Sequence, residues 1–115
     1  MKTSYFAKLK EIEYPISISV YTPSWYKGRE YKALAPKPWF LEAYKDKKIT
    51  SEEYTQCYYE EVLNELDPHK VVKDLKEIYD SENFTLLCYE KSGDFCHRHL
   101  VSDWLRKSGY EIEEK

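Results

Sequence analysis

Cys88, Glu90, Asp94, Cys96, His97 and Arg98 fall within eleven consecutive residues. Together they offer two thiols, two carboxylates, an imidazole and a guanidinium. A thiol beside a cation can ionise near neutral pH and become a nucleophile. A carboxylate or imidazole can move protons when its pKa is tuned to the working pH. Arginine is a fixed cation whose planar fork suits phosphate or carboxylate. The stretch therefore names Glu90, Cys96 and His97 as candidate catalytic residues, and Cys88, Asp94 and Arg98 as candidate ligand-binding ones. Each has a plainer reading beside it. Cys88 can be a small core residue, Cys96 an inert first-turn thiol, and Arg98 the partner of Glu90 or Asp94 in an ion pair.

The same cysteines with His69, His97 and His99 invite a zinc reading, but there is no CxxC pair. Neighbouring helix residues also face different ways. The expectation is no metal and no cofactor. A second cluster, Trp25-Tyr26-Lys27-Gly28-Arg29-Glu30-Tyr31-Lys32, interleaves aromatics with bases, as a surface that stacks on bases and holds phosphates does. An ordinary lysine-rich loop anchored by a tryptophan looks the same.

The elements that must position these groups follow from spacing. Ile16 to Tyr21 alternates apolar and polar residues and reads as a strand closed by Thr22-Pro23-Ser24. Trp25 to Trp39, with Gly28, Pro36 and Pro38, reads as a long loop. Phe40 to Lys45 reads as a short helix. Thr50 and Glu53 have capping-box spacing and open another, with Tyr54, Tyr58, Val62 and Leu66 on its apolar face. Asp67-Pro68 starts a further helix, with Val71, Val72, Leu75, Ile78 and Tyr79 facing inward.

Phe84 to Tyr89 is nearly continuous in apolar residues, as a strand covered on both faces is. After the tight loop Lys91-Ser92-Gly93, Asp94 can cap a last helix that buries Leu100, Val101, Trp104 and Leu105. Gly109 ends that helix, and Tyr110 to Ile112 is a short final strand. The alternation predicts an α/β fold: a small parallel or mostly parallel sheet of about three strands packed with helices, in one domain over residues 1–115. Ligands in such sheets gather beyond the carboxyl ends of the strands. That places Cys88 to Glu90 and the helix start at Cys96 to Arg98 on the ligand edge, where free backbone N–H groups favour an anion. It also predicts that the Trp25–Trp39 loop covers this edge.

Composition narrows the class. At 115 residues and 42% hydrophobic, the chain can build one core. No apolar run reaches the ~20 residues of a membrane helix, and the N-terminus shows no apolar leader segment. Three cysteines give no paired framework, so reduced thiols and a cytoplasmic location are expected. Net charge is −3, with residues 1–48 at +5 and residues 49–115 at −8. The basic half can attract an anion, or be neutralised by the acidic half within the fold. No helix carries a basic stripe, which argues against duplex nucleic acid.

Leu86-Leu87-Cys88-Tyr89-Glu90 followed by Phe95-Cys96-His97-Arg98 resembles the domain-of-unknown-function family 488, which includes the YeaO-like proteins. Tyr21-Thr22-Pro23-Ser24-Trp25, Leu34-Ala35-Pro36 and Ile49-Thr50 with Tyr54 also look like its pattern. The resemblance implies an α/β fold and weights Cys88, Glu90, Cys96, His97 and Arg98 as the site. It implies no activity. Two functions stand as expectations. One is an enzyme acting on a nucleotide-like or other phosphorylated small molecule. The other is a non-catalytic domain that binds or sequesters a nucleotide or nucleic-acid end at the same anion site, with Trp25 and Tyr26 stacking and Lys27 and Arg29 holding charge.

Overall fold

Lys2-Thr3-Ser4-Tyr5 carries no apolar alternation, yet it forms the first strand, β1 (Lys2–Tyr5), with Thr3 and Ser4 buried. The computed structural model describes residues 1–91 and 93–115, so Ser92 of the tight loop lies outside the described residues. Four further strands follow: β2 (Pro15–Ser17), β3 (Arg29–Glu30), β4 (Thr85–Cys88) and β5 (Glu113–Glu114). They make one sheet in the order β3-β2-β4-β1-β5, and every pairing is parallel. The sheet thus has five strands rather than about three. β1 and β3 were hidden from a reading based on apolar periodicity, because they are short and mostly polar.

Two strand boundaries also differ from expectation. The strand expected over Ile16 to Tyr21 ends at Ser17. Beyond it, the carbonyls of Ser19 and Val20 accept hydrogen bonds from Lys32 Nζ rather than from a neighbouring strand. The final strand lies at Glu113–Glu114, three residues past the expected start, because Gly109 at φ +93° and Tyr110 complete the helix end.

The α-helices among the described residues are α1 (Pro38–Lys45), α2 (Ser51–Glu61), α3 (Pro68–Tyr79) and α4 (His97–Lys107). α2 opens with both halves of the capping box: Glu53 N–H donates to Thr50 Oγ1, and Thr50 N–H donates to Glu53 Oε1. α3 opens with Pro68 in its first turn and the Asp67 carboxylate accepting from His69 N–H.

Alternation along β4 sorts the core. Leu86 joins the large cluster with Phe40, Tyr54, Tyr58, Val71, Leu75, Val101 and Leu105 from the helices. Leu87 points the other way, to a small cluster with Phe6 and Tyr26. With a period of two, Cys88 returns to the helix side. No helix among the described residues is long and apolar enough to cross a membrane.

Candidate functional site

Because all five strands run parallel, their carboxyl ends share one edge. Tyr5 and Cys88 are register partners there, and Ser17 pairs with Leu87 just before it. The chain leaves β4 through Tyr89 and Glu90, both exposed, and turns at Gly93, whose φ of +96° is open to glycine without strain. Phe95 then anchors the turn, its ring 5.1 Å from both Tyr44 and Tyr54.

This anchoring puts the helix start two residues later than expected. Cys96, not Asp94, is the N-cap, and it has no side-chain capping bond. Asp94 stays exposed in the turn, with its N–H donating to Lys91 O.

Cys88 and Cys96 meet, with the two sulfurs bonded at 2.07 Å. The expectation that all cysteines stand as separate thiols is corrected for this pair, because strand end and helix start return the chain across eight residues. Cys57, on α2, is free. His97 is buried beside them. Its Nε2 lies 2.7 Å from the Ile18 carbonyl oxygen, which can only accept, so Nε2 carries the proton. The unprotonated Nδ1 then faces Cys96 Sγ at 3.8 Å. Burial, and next to it the bond to Ile18 and the charge of Arg98, leave the His97 pKa pulled down from 6.5 to about 4, the burial outweighing the bond's upward pull.

Arg98 is fully buried behind the sulfurs. Nη1 donates to Cys88 Sγ at 3.1 Å and to the Glu90 carbonyl at 2.6 Å. Nε and Nη2 fork onto the Glu114 carboxylate of β5, the closest contact being 2.9 Å. The carboxylate partner is therefore Glu114, rather than Glu90 or Asp94. Arg98 Cζ also lies 5.7 Å from the centre of the Tyr5 ring.

Two cavities of about 30 and 50 Å³ open in front of this group. They share Leu41, Lys45, Glu90 and His97 as walls, so they adjoin. Cys88 lines one and Cys96 the other. Ser19 lines the first, and its buried Oγ has no hydrogen-bond partner among the described residues. Cys88, Glu90, Cys96 and His97 thus converge, while Arg98 supports the sulfurs from behind and lines neither cavity.

The aromatic–basic loop sits to one side. Among the described residues of Trp25 to Trp39, Pro36 alone lines either of these two cavities. Tyr26 is buried, with its hydroxyl between the carbonyls of Pro15 and Arg29. Trp25 is half-exposed, edge-on to Phe6, which in turn packs against Tyr89. Lys27 and Arg29 are exposed.

Sequence reasoning missed Lys45, Leu41 and Tyr21. The first two stand four apart on one face of α1, and Tyr21 follows the end of β2. Once the sheet edge is known, that spacing and position could have found them.

No curated protein and no solved structure matches the chain. A family model described as "Active DUF488-N3 subclade" (DUF488-N3a) matches residues 15–109, which span α1 to α4, strands β2 to β4 and the whole Cys88–Arg98 group, and the chain belongs to that DUF488 family.

Proposed function

We propose that the paired cavities at the carboxyl edge are the active site of an enzyme acting on a small anionic molecule, phosphorylated or nucleotide-like. The observation that carries this reading is convergence. A cation (Lys45), a carboxylate (Glu90), a neutral imidazole (His97) and two sulfurs all face one cleft. With the cysteine pair reduced, as a cytoplasmic location would keep it, Cys96 is the nucleophile. Arg98 favours thiolate character in the pair, since a guanidinium at hydrogen-bond distance stabilises a negative sulfur. Glu90 does the acid–base work. Arg98 is committed to Glu114 and Cys88, so the anion's charge is met by Lys45 and by the backbone N–H groups at the start of α4.

Cavity size limits what enters. Volumes of 30 and 50 Å³ admit a few atoms, not a whole nucleotide. The reacting tip enters and the rest of the ligand lies outside. Exposed Tyr21, Tyr89 and Trp25 offer flat apolar area for it, and Lys27 and Arg29 offer charge beyond. Tyr26, buried beneath this surface, supports it from below.

The second reading, binding without catalysis, is favoured by one fact. With its pKa at about 4, His97 is a weak base for a thiol. Mass spectrometry of small molecules that co-purify with the native protein separates the two. If the captured anion is converted by the reduced protein and left intact by Cys96→Ser, the enzyme reading stands. If it is held and returned unchanged by the reduced wild type, the domain is a binder. If no anion is captured, and neither AMP nor inorganic phosphate binds in calorimetry, both readings fall.

A further inference from the structure

The three groups at the base of the cleft have a chemistry of their own. Cys88 Sγ, Cys96 Sγ and a ring nitrogen of His97 all lie within 4.8 Å of one another, and all three residues are buried. The His97 ring is fixed as a ligand would be, with Nε2–H held by the Ile18 carbonyl and the Nδ1 lone pair turned toward the sulfurs. Cys96 can share this point with His97 because it precedes the helix in an extended conformation. The rule that adjacent helix residues diverge therefore does not apply to it.

We propose that, when the Cys88–Cys96 pair is reduced, Cys88 Sγ, Cys96 Sγ and His97 Nδ1 bind one borderline-soft divalent ion of the zinc class. The fourth position is left for a group entering from the cleft. Two sulfurs and one imidazole nitrogen form a donor set that selects zinc-class ions over magnesium or calcium, and three protein ligands with one open place is the arrangement of reactive rather than structural sites. The backbone spacing agrees. The two Cα atoms are 7.3 Å apart, wider than the ~4.4–6.8 Å usual between disulfide-linked residues. Two sulfurs bound to one tetrahedral ion at about 2.3 Å stand about 3.8 Å apart, which suits that wider spacing.

Charge closes as well. A divalent ion cancels two thiolates, and Arg98 is already cancelled by Glu114. Arg98 Nη1 then donates to a metal-bound thiolate, an outer-sphere bond that fixes the Cys88 ligand.

The states exclude one another. The disulfide must first gain two electrons and two protons, giving two thiols: two external thiols supply both and leave as a disulfide, or a phosphine supplies the electrons and becomes its oxide while water supplies the protons and the oxygen. Metal binding then releases both thiol protons. This inference does not depend on the anionic ligand proposed above.

The test uses the full chain, reduced by a phosphine under anaerobic conditions and freed of metal, titrated with cobalt(II) alone. One equivalent should produce the visible bands of tetrahedral cobalt and a near-ultraviolet sulfur-to-cobalt band, both erased by zinc. The disulfide-bonded protein should show neither. Cys57→Ser should behave as wild type. Cys88→Ser and Cys96→Ser should weaken the sulfur band, and His97→Gln should weaken binding by about tenfold or more.

Should a cysteine variant fail to fold, the wild-type protein still decides. Zinc should protect Cys88 and Cys96, but not Cys57, from iodoacetamide, as read by peptide mass spectrometry. A spectrum without a saturable sulfur band, alkylation of Cys88 and Cys96 indifferent to zinc, or binding unchanged in either folded serine variant would overturn the proposal. With no phosphate present, such a failure leaves anion binding untouched. Conversely, Lys45→Ala should weaken anion binding by about tenfold while leaving the cobalt spectrum as it was.

Discussion

Arg98 holds Cys88 and Glu114 at the same time: Nη1 is 3.1 Å from the sulfur, and Nη2 is 2.9 Å from the carboxylate. One buried guanidinium thereby ties the last strand to the sulfur group at the sheet edge.

Removing that cation takes from Glu114 the guanidinium that forks onto its carboxylate. Breaking a buried pair costs about 3–5 kcal/mol. Glu114 keeps a quarter of its side chain exposed, which moves the expectation for Arg98→Ala to the lower end, about 3 kcal/mol. Glu114→Gln keeps an acceptor for the guanidinium and should cost less. Urea unfolding of the three proteins checks both the size and the order. Equal stability of wild type and Arg98→Ala would show that the pair contributes nothing net.

His97 makes stability depend on pH. Its folded pKa is about 4, against 6.5 ordinarily. Above pH 6.5 the ring is neutral in both states and its burial costs nothing extra. Between 6.5 and 4 the unfolded chain takes up a proton that the folded chain refuses, so stability falls as pH falls. The full loss is on the order of 3 kcal/mol, from about 1.4 kcal/mol per pKa unit. Urea unfolding of the disulfide-bonded protein between pH 7.5 and 4.5 should show the decline. His97→Gln should lack this component, and a variant that declines as steeply as wild type would refute the assignment.

The capping box is a local test of α2. Thr50→Ala removes the acceptor for Glu53 N–H and should cost about 1 kcal/mol. Glu53→Ala removes the reciprocal bond to Thr50 N–H. The double variant should cost less than the sum of the two, because each half orients the other. Additive losses in thermal unfolding would mean the halves act separately.

For an anionic ligand, Lys45 and Trp25 should separate by thermodynamics and by salt. Lys45→Ala should weaken AMP binding by roughly tenfold, about 1.4 kcal/mol, and flatten its salt dependence. Trp25→Ala should weaken AMP by ~1–3 kcal/mol if a base stacks outside the cleft. It should leave inorganic phosphate unaffected. Calorimetry with both ligands reads the difference, and identical losses for both would remove the stacking role.

What the sequence displayed was periodicity and local chemistry. Tyr54 and Tyr58, Val71 and Leu75, Leu86 and Val101 all announce buried faces, and Thr50 with Glu53 and Asp67 with Pro68 announce helix starts. The sheet edge carrying Cys88 to Arg98 follows from strand, turn and helix order. Thr3, Ser4 and Glu114 carry no such signal. Their strands are defined by pairing with residues more than eighty positions away. For the same reason the partner of Arg98 was hidden: Glu114 is one acid among many until β5 is placed beside β1. The N-cap at Cys96 depended on Phe95 finding the aromatic rings of α1 and α2.

The strand order has a consequence for the order in which the molecule can be made. β4 is the middle strand, yet it occupies residues 85–88, and both β1 and β2 pair directly with it. A chain growing from its amino end carries β1 and β2 with no central strand between them until residues 85–88 emerge. The sheet centre, and with it the edge that holds Cys88, Ile18 and His97 together, can form only after residues 85–97 have left the ribosome. Pairings this distant are slow to close, so the nascent protein spends that interval with its strand edges open to chaperones and to neighbouring chains.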